Sequence, residues 1–155
     1  MNRSQSPQAT TTQAARLLLV VYLLVLGFLV FLPFGRGMDL GDRLNLDPFV
    51  TIDRALELGP RSLSFRLMLG NIAAFVPLGI LLPLAFRRLP IAVAFVTVVA
   101  LSAAIELGQL AMSTYLGYAY RSTDVDDLIL NVCGATLGLV VAAILRLSQS
   151  MRESG

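Results

Sequence analysis

Long uncharged runs of apolar residues are separated by polar segments along the chain, and this pattern predicts its architecture. The runs lie at residues 17–35, 67–86, 89–105 and 128–145, and the third resumes after Glu106 and stays uncharged to residue 120. Each reaches or approaches the roughly 20 residues with which an α-helix crosses a hydrocarbon core of about 30 Å. None alternates polar and apolar residues with period two, as a membrane strand would. The pattern therefore predicts an all-α, polytopic membrane protein, a bundle of four transmembrane helices.

Composition argues against a soluble fold. Of the 155 residues, 56% are hydrophobic and 14% are charged, against about 45–50% and about 25% in an average soluble domain. A water-soluble protein of this size has too much surface for its volume to bury so many apolar side chains. We therefore expect neither a soluble globular enzyme nor a disordered chain.

The residue types that are missing narrow the chemistry. The sequence has no histidine, no lysine and a single cysteine, so all twelve basic residues are arginine. Imidazole ligands, cysteine-rich metal sites, lysine Schiff bases and P-loops are therefore excluded. A net charge of +2 is too small and too evenly spread to indicate a nucleic-acid-binding protein. We expect no metal, no cofactor and no nucleic-acid partner.

The chain is predicted to be one membrane domain with two tails. Residues 1–13 are polar and are predicted to form a disordered cytoplasmic tail. Residues 14–147 are predicted to form the transmembrane domain, and residues 148–155 a short C-terminal tail. The first apolar run is too long for a cleaved signal peptide, so we expect a retained anchor helix.

An extended outer loop, residues 36–66, joins the first two predicted spans. Within it, Thr51 has the residue type of a helix N-cap, and Gly59-Pro60 would end a short helix.

Four spans put both termini on one side of the membrane, together with the tight Arg87-Arg88 turn. Six arginines fall on each side, but the arginine pair and eight acidic residues on the opposite side favour cytoplasmic termini in the cell membrane.

Polar residues of the last two spans fall on single helix faces. At 100° per residue, one face of the third span carries Ser102, Glu106, Gln109 and Ser113. The fourth span has a stripe made of Asp124, Asp127, Asn131, Gly134 and Gly138, from which Asp126 points away. An ionisable residue inside a span costs about 2.5–3.5 kcal/mol on insertion scales, so Glu106 is expected to face the bundle interior. Gly134 and Gly138 also form a G-x-x-x-G pattern, which lets two helices approach closely.

These faces predict one polar pocket below the surface that carries the first loop. Asn71 is near the start of the second span. It is expected to lie at the same depth as the polar residues of the third and fourth spans, on the order of 5–10 Å below this surface. The residues expected to converge are Asn71, Glu106, Gln109, Arg121, Asp124, Asp127 and Asn131. No polar chain continues to the opposite surface, which argues against a channel.

Several roles are open for these residues. Glu106 either pairs with Arg121 or Gln109 to fix helix packing, contacts a bound headgroup, or acts as an acid or base. The aspartates of residues 124–127 either ligate a divalent cation or, as we favour, form a solvated helix N-terminus. Arg121 has the planar fork that holds phosphate or carboxylate with two hydrogen bonds.

Three segments resemble, in this order, the motifs of the VanZ-like family. They are Arg43-Leu-Asn45-Leu-Asp-Pro48-Phe49, Asn71-Ile-Ala-Ala-Phe75-Val-Pro77-Leu78-Gly79, and the pair of patterns Glu106-x-x-Gln109 and Arg121-x-x-Asp124-x-x-Asp127-x-x-x-Asn131-x-x-Gly134-x-x-x-Gly138. The resemblance covers residues 17–146. It implies a small multi-pass membrane protein, in a family whose founding member is associated with reduced susceptibility to the glycopeptide teicoplanin, and it supplies no reaction.

Two functions of different classes are compatible with the pocket and the resemblance. In the first, the protein binds an anionic lipid-linked or cell-wall headgroup at the outer leaflet and thereby influences teicoplanin susceptibility. In the alternative, it is a membrane enzyme that acts on such a headgroup, with Glu106 and Asp127 as acid and base. The expected partners are membrane lipids, including a lipid-linked cell-wall precursor.

Overall fold

The computed structural model describes residues 7–31, 44–118 and 122–153. These parts of the chain form α1 (Pro7–Val30), β1 (Leu44–Asn45), α2 (Val50–Leu58), α3 (Leu63–Ala85), α4 (Ile91–Leu116), β2 (Thr123–Asp124) and α5 (Val125–Glu153). Four helices contain stretches long and apolar enough to cross a membrane, namely Thr11–Val30, Leu63–Ala85, Ile91–Leu116 and Val125–Met151. The prediction of an all-α bundle of four transmembrane helices is confirmed.

The first and last helices, α1 and α5, extend into the predicted tails. α1 begins at Pro7, so the second half of the tail predicted to be disordered (1–13) is helical, and the first half lies outside the described residues. Proline suits a first helical position because its missing N–H would have no helical partner there. α5 runs to Glu153 and takes in most of the C-terminal tail (148–155), since no glycine or proline follows Arg146 before the helix ends.

The described part of the first loop contains a strand as well as a helix. The N-cap of α2 is Phe49, with φ of 72°, so the prediction of Thr51 as N-cap is wrong. Thr51 lies in the first turn of α2, where its own N–H donates to the carboxylate of Asp126, a residue in a distant part of the chain. α2 ends at Gly59 as predicted. β1 pairs in parallel with β2, with Asn45 opposite Asp124, and so ties the first loop to the connection between α4 and α5.

α3 and α5 form a tight helix pair, because glycines stand where the two backbones meet. A Cβ atom built on Gly134 or Gly138 would collide with backbone oxygens of α3, and one built on Gly79 would collide with the backbone of α5. This is the close approach that the Gly134-x-x-x-Gly138 spacing predicts. α1 and α4 pack around this pair, and their apolar side chains complete the core.

The two ends of the bundle differ in structure. At one end, here called the loop end, β1, α2 and β2 lie beside the first turns of α3 and α5. Ala55 and Ile52 of α2 pack there against Met68 of α3 and Leu130 of α5. The opposite end, here called the terminal end, holds the start of α1, the 86–90 turn and the end of α5.

Candidate functional site

Asp124 joins three parts of the loop end. As the residue before α5, it caps its own helix, because its Oδ1 accepts a hydrogen bond from the Asp126 N–H at 2.9 Å. The same oxygen accepts from Asn45 Nδ2 at 3.3 Å, and Oδ2 accepts from the Thr51 hydroxyl at 2.6 Å. The backbone N–H of Asp124 donates to Glu106 Oε2 at 3.3 Å. One carboxylate therefore links β1, α2 and α5, and its backbone is held by α4.

Asp126 caps a different helix, α2. Its carboxylate accepts hydrogen bonds from the backbone N–H groups of Phe49 at 2.6 Å, Thr51 at 2.8 Å and Ile52 at 3.1 Å. These donors belong to the first turn of α2, where N–H groups lack partners within the helix and the helix dipole favours a negative charge. The side chain is fully buried. Asp126 does point off the stripe of Asp127, but it points at a helix N-terminus rather than at solvent.

Asp127 contacts a third element. Its Oδ1 accepts a hydrogen bond from Nδ2 of Asn71, near the start of α3. The three aspartates thus serve α5, α2 and α3 in turn. The prediction of a solvated helix N-terminus is right about the helix end and wrong about solvation, because Asp124 and Asp126 are buried. Within the described residues, no group of three or more acidic or cysteine side chains could hold a metal ion.

The polar face of α4 is directed inward along its whole length. Its buried polar residues are Ser102, Glu106, Gln109 and Ser113. Ser102 accepts a hydrogen bond from Asn131 Nδ2 at 3.0 Å, which links α4 to α5. Gln109 donates to the backbone oxygen of Val30 at 3.2 Å, so it fastens the end of α1. These contacts fix the packing of three helices.

A cavity of about 230 Å³ lies at the loop end between α2, α3 and the start of α5. Its lining consists of Thr51, Ile52, Ser64, Leu67, Met68, Asn71, Ser122, Asp124, Asp127 and Leu130. The polar groups come from Asn71, the two aspartates and three hydroxyl side chains. Leu67, Met68 and Leu130 supply an apolar wall. The cavity therefore offers hydrogen-bonding groups beside apolar surface at the end of a membrane span.

The predicted pocket residues do not all share this cavity. Asn71, Asp124 and Asp127 line it, whereas Glu106, Gln109 and Asn131 do not. Arg121 lies outside the described residues. The prediction of one common pocket is therefore too broad. At 100° per residue, Glu106 and Gln109 stand about 60° apart around α4, which is enough to direct them at different neighbours.

Ser64 and Ser122 are cavity residues that were not predicted from the sequence. A signal for Ser64 was present, because Ser64, Leu67, Met68 and Asn71 follow the i, i+3, i+4, i+7 spacing of one helix face. No comparable periodicity marks Ser122, which lies in the connection before β2. Asn45 stood in the first-loop motif, but its bond to Asp124 depends on a strand pairing between distant segments.

A family model described as VanZ/LLP1 matches residues 19–146, a range that holds every residue lining the cavity. The chain belongs to the VanZ/LLP1 family. A curated relative in this family, Protein VanZ of Enterococcus faecium, is 32% identical over 127 residues, which cover 81% of this chain and 71% of that protein. No solved structure is significantly similar to the chain. The resemblance found from the motifs is thus confirmed for the family as a whole.

Proposed function

We propose that this VanZ/LLP1 protein binds the polar headgroup of a lipid-linked or cell-wall molecule in the loop-end cavity and thereby influences glycopeptide susceptibility. The observation that carries the proposal is the cavity itself, in which polar groups from three helices face an apolar wall at the end of a membrane span. The proposal includes cytoplasmic termini, which would put the loop end at the outer surface of the cell membrane.

The described lining favours particular ligand groups. It contains two carboxylates and an amide, which accept from and donate to sugar hydroxyls and peptide amides. No arginine belongs to that described lining. Arg121, which the sequence predicts to bind a phosphate or carboxylate, directly precedes the cavity residue Ser122 in the chain. In this proposal Asp127 and Asn71 hold the uncharged part of the headgroup and Arg121 holds its anionic part.

The size of the cavity favours a headgroup over the antibiotic. Pockets for drug-sized molecules have volumes of about 300–1,000 Å³, and the loop-end cavity has about 230 Å³. A single sugar or a short peptide end fits such a volume, whereas a glycopeptide antibiotic is much larger. Similarity to Protein VanZ supports the link to glycopeptide susceptibility, and the cavity supports an indirect route through a cell-wall component.

The alternative, a membrane enzyme with Glu106 and Asp127 as acid and base, has less support. An acid and a base must both reach the reacting group of one substrate. Asp127 lines the cavity, but Glu106 does not. The carboxylate of Glu106 instead accepts a hydrogen bond from the backbone N–H of Asp124. This arrangement suits a positioning role for Glu106, and we therefore favour binding over catalysis.

Expression in a teicoplanin-susceptible Gram-positive host tests the proposal. The unchanged protein should raise the inhibitory concentration of teicoplanin, Asp127→Asn should return it to the level of the empty vector, and the exposed Asp53→Asn should behave like the unchanged protein. Equal protection by Asp127→Asn, at equal amounts in the membrane, would contradict the proposal. Lipid extracts from the same cells distinguish the alternative, since only an enzyme would produce a new lipid species that disappears in Glu106→Gln.

A further inference from the structure

At the terminal end, two arginines donate hydrogen bonds to backbone carbonyl groups at the C-terminus of α3 and in the turn that follows it. Arg16 donates through Nε to the Ala85 oxygen at 3.0 Å. Arg146 donates to the oxygens of Leu89 at 3.3 Å, of Phe86 at 3.2 Å and of Pro83. Helix C-termini leave their last carbonyls without helical partners and favour cations, so both guanidinium groups are fixed in place by the fold.

Two more arginines make this end strongly positive. Arg87 and Arg88 are exposed in the turn between α3 and α4. Every carboxylate side chain that the structure describes belongs to the loop-end half of the bundle: Asp47, Asp53, Glu57, Glu106, Asp124, Asp126 and Asp127. Among the described side chains, the positive charge of the terminal end is therefore not balanced by acidic residues, and an anionic partner would be attracted to it.

A second cavity, of about 500 Å³, lies among these arginines. Arg16, Arg87 and Arg88 supply its charge, and Phe86, Leu89 and Pro90 supply apolar surface. The Arg16 guanidinium stands over the Phe86 ring at 5.7 Å from the centroid, and its Nε is held by Ala85. None of the hydrogen bonds described for Arg16 uses its two Nη groups, which are the fork that binds phosphate.

We infer that this terminal-end cavity binds the phosphate of an anionic phospholipid headgroup. The cavity lies where membrane spans end, which is the level of lipid headgroups. Clustered arginines at that level attract anionic lipids. An apolar groove of about 380 Å³ is lined by residues of α4 and α5, among them Phe95, Val140 and Ile91, which follows the cavity residue Pro90 in the chain. The groove provides surface for an acyl chain of the same lipid.

This inference is independent of the proposed function, because it concerns the opposite end of the bundle and a different set of residues. It assigns a site to a structural lipid rather than to the headgroup of the loop-end cavity. A failure of either proposal therefore leaves the other intact.

Titration of the purified full chain in non-ionic detergent tests the site, with fluorescent phosphatidylglycerol as the probe and phosphatidylcholine as its zwitterionic counterpart. The double variant Arg87→Gln/Arg88→Gln should bind phosphatidylglycerol about thirty-fold more weakly, because two arginines near a membrane surface contribute about 2 kcal/mol of attraction to an anionic lipid. The matched control, Arg54→Gln/Arg61→Gln, makes the same charge change at exposed positions of the loop end and should bind as the unchanged protein does. Arg16 is left unchanged because it also supports α3.

Three results would overturn the inference. They are equal affinity for the two lipids, equal weakening by the two double variants, and binding of glycerol phosphate, which lacks acyl chains, as tight as that of the lipid. The last result would assign the site to a free phosphate. Both double variants should unfold at the same temperature as the unchanged protein in lipid-free detergent, so that lost binding reports the cavity and not the fold.

Discussion

Asp126 has the most demanding environment of the charged residues at the loop end. A fully buried carboxylate is costly unless its oxygens are hydrogen-bonded, and here three backbone N–H groups of α2 supply the bonds. Because Asp126 points off the stripe of Asp127, helical periodicity alone predicts that substituting Asp126 matters less than substituting Asp127. The structure favours the opposite expectation. Asp127 is only partly buried and has a side-chain partner, whereas Asp126 accepts three backbone hydrogen bonds from the start of α2.

Asp126→Asn should therefore destabilise the protein. The amide keeps one acceptor, but it loses the charge and turns an NH₂ group towards backbone donors, at a cost of about 2–4 kcal/mol. Thermal unfolding in detergent measures the effect, with the exposed Asp53→Asn as the control at the same helix. An Asp126→Asn variant as stable as Asp53→Asn would show that the carboxylate does not secure α2.

Helical periodicity explains why the direction of Asp126 could be predicted but not its partner. The 100° step correctly separates Asp126 from Asp127. Its partners, however, lie about 75 positions earlier in the chain, as the bond from the Thr51 N–H shows. No local pattern brings these segments together, since that depends on β1 pairing with β2. The same limit explains the wrong N-cap of α2.

At the scale of helices, the contact between α3 and α5 rests on missing side chains. Gly134→Ala should lower stability by about 1–3 kcal/mol, because the new methyl group would press on the backbone of α3 and force the helices apart. Gly70→Ala is the matched control in α3, where nothing lies within 4 Å of the added atom. It should be neutral or stabilise by up to about 1 kcal/mol. Similar unfolding temperatures for the two variants would contradict the interface.

The end of α3 gives a second prediction for an element. Arg146→Gln removes donors from carbonyl groups of Pro83, Phe86 and Leu89 and should destabilise the protein by about 1–3 kcal/mol. Arg88→Gln removes the same charge from an exposed position. Its unfolding temperature in lipid-free detergent should not change. If both variants unfold alike, charge at the terminal end and not hydrogen bonding would be the cause.

The four spans were predictable because the bilayer sets their length and composition, and the G-x-x-x-G contact because small residues permit close approach. Helix ends were less predictable. α1 and α5 pass beyond the apolar runs into polar residues, so hydrophobicity marks the membrane and not the end of the helix. The polar face of α4 likewise predicts that its side chains are buried, but it does not predict which neighbouring helix each side chain contacts.

For the whole molecule, the two ends carry opposite charge patterns among the described residues, and this bears on orientation. In a Cys133→Ala background, Asp53→Cys should react with a membrane-impermeant maleimide in intact cells, whereas Arg88→Cys should react only after the cells are opened. The reverse labelling pattern would place the termini outside and move the loop-end cavity to the cytoplasmic surface.

The loop-end cavity combines all three scales, since aspartates of one short run join helices that are far apart in sequence and leave a space between them. Direct titration of the purified protein with a lipid-linked cell-wall precursor tests this account most directly. Saturable binding by the unchanged protein and by Asp53→Asn, with binding about ten-fold weaker in Asp127→Asn, is the expected result. Equal binding by all three proteins, or no binding by the folded unchanged protein, would contradict the account.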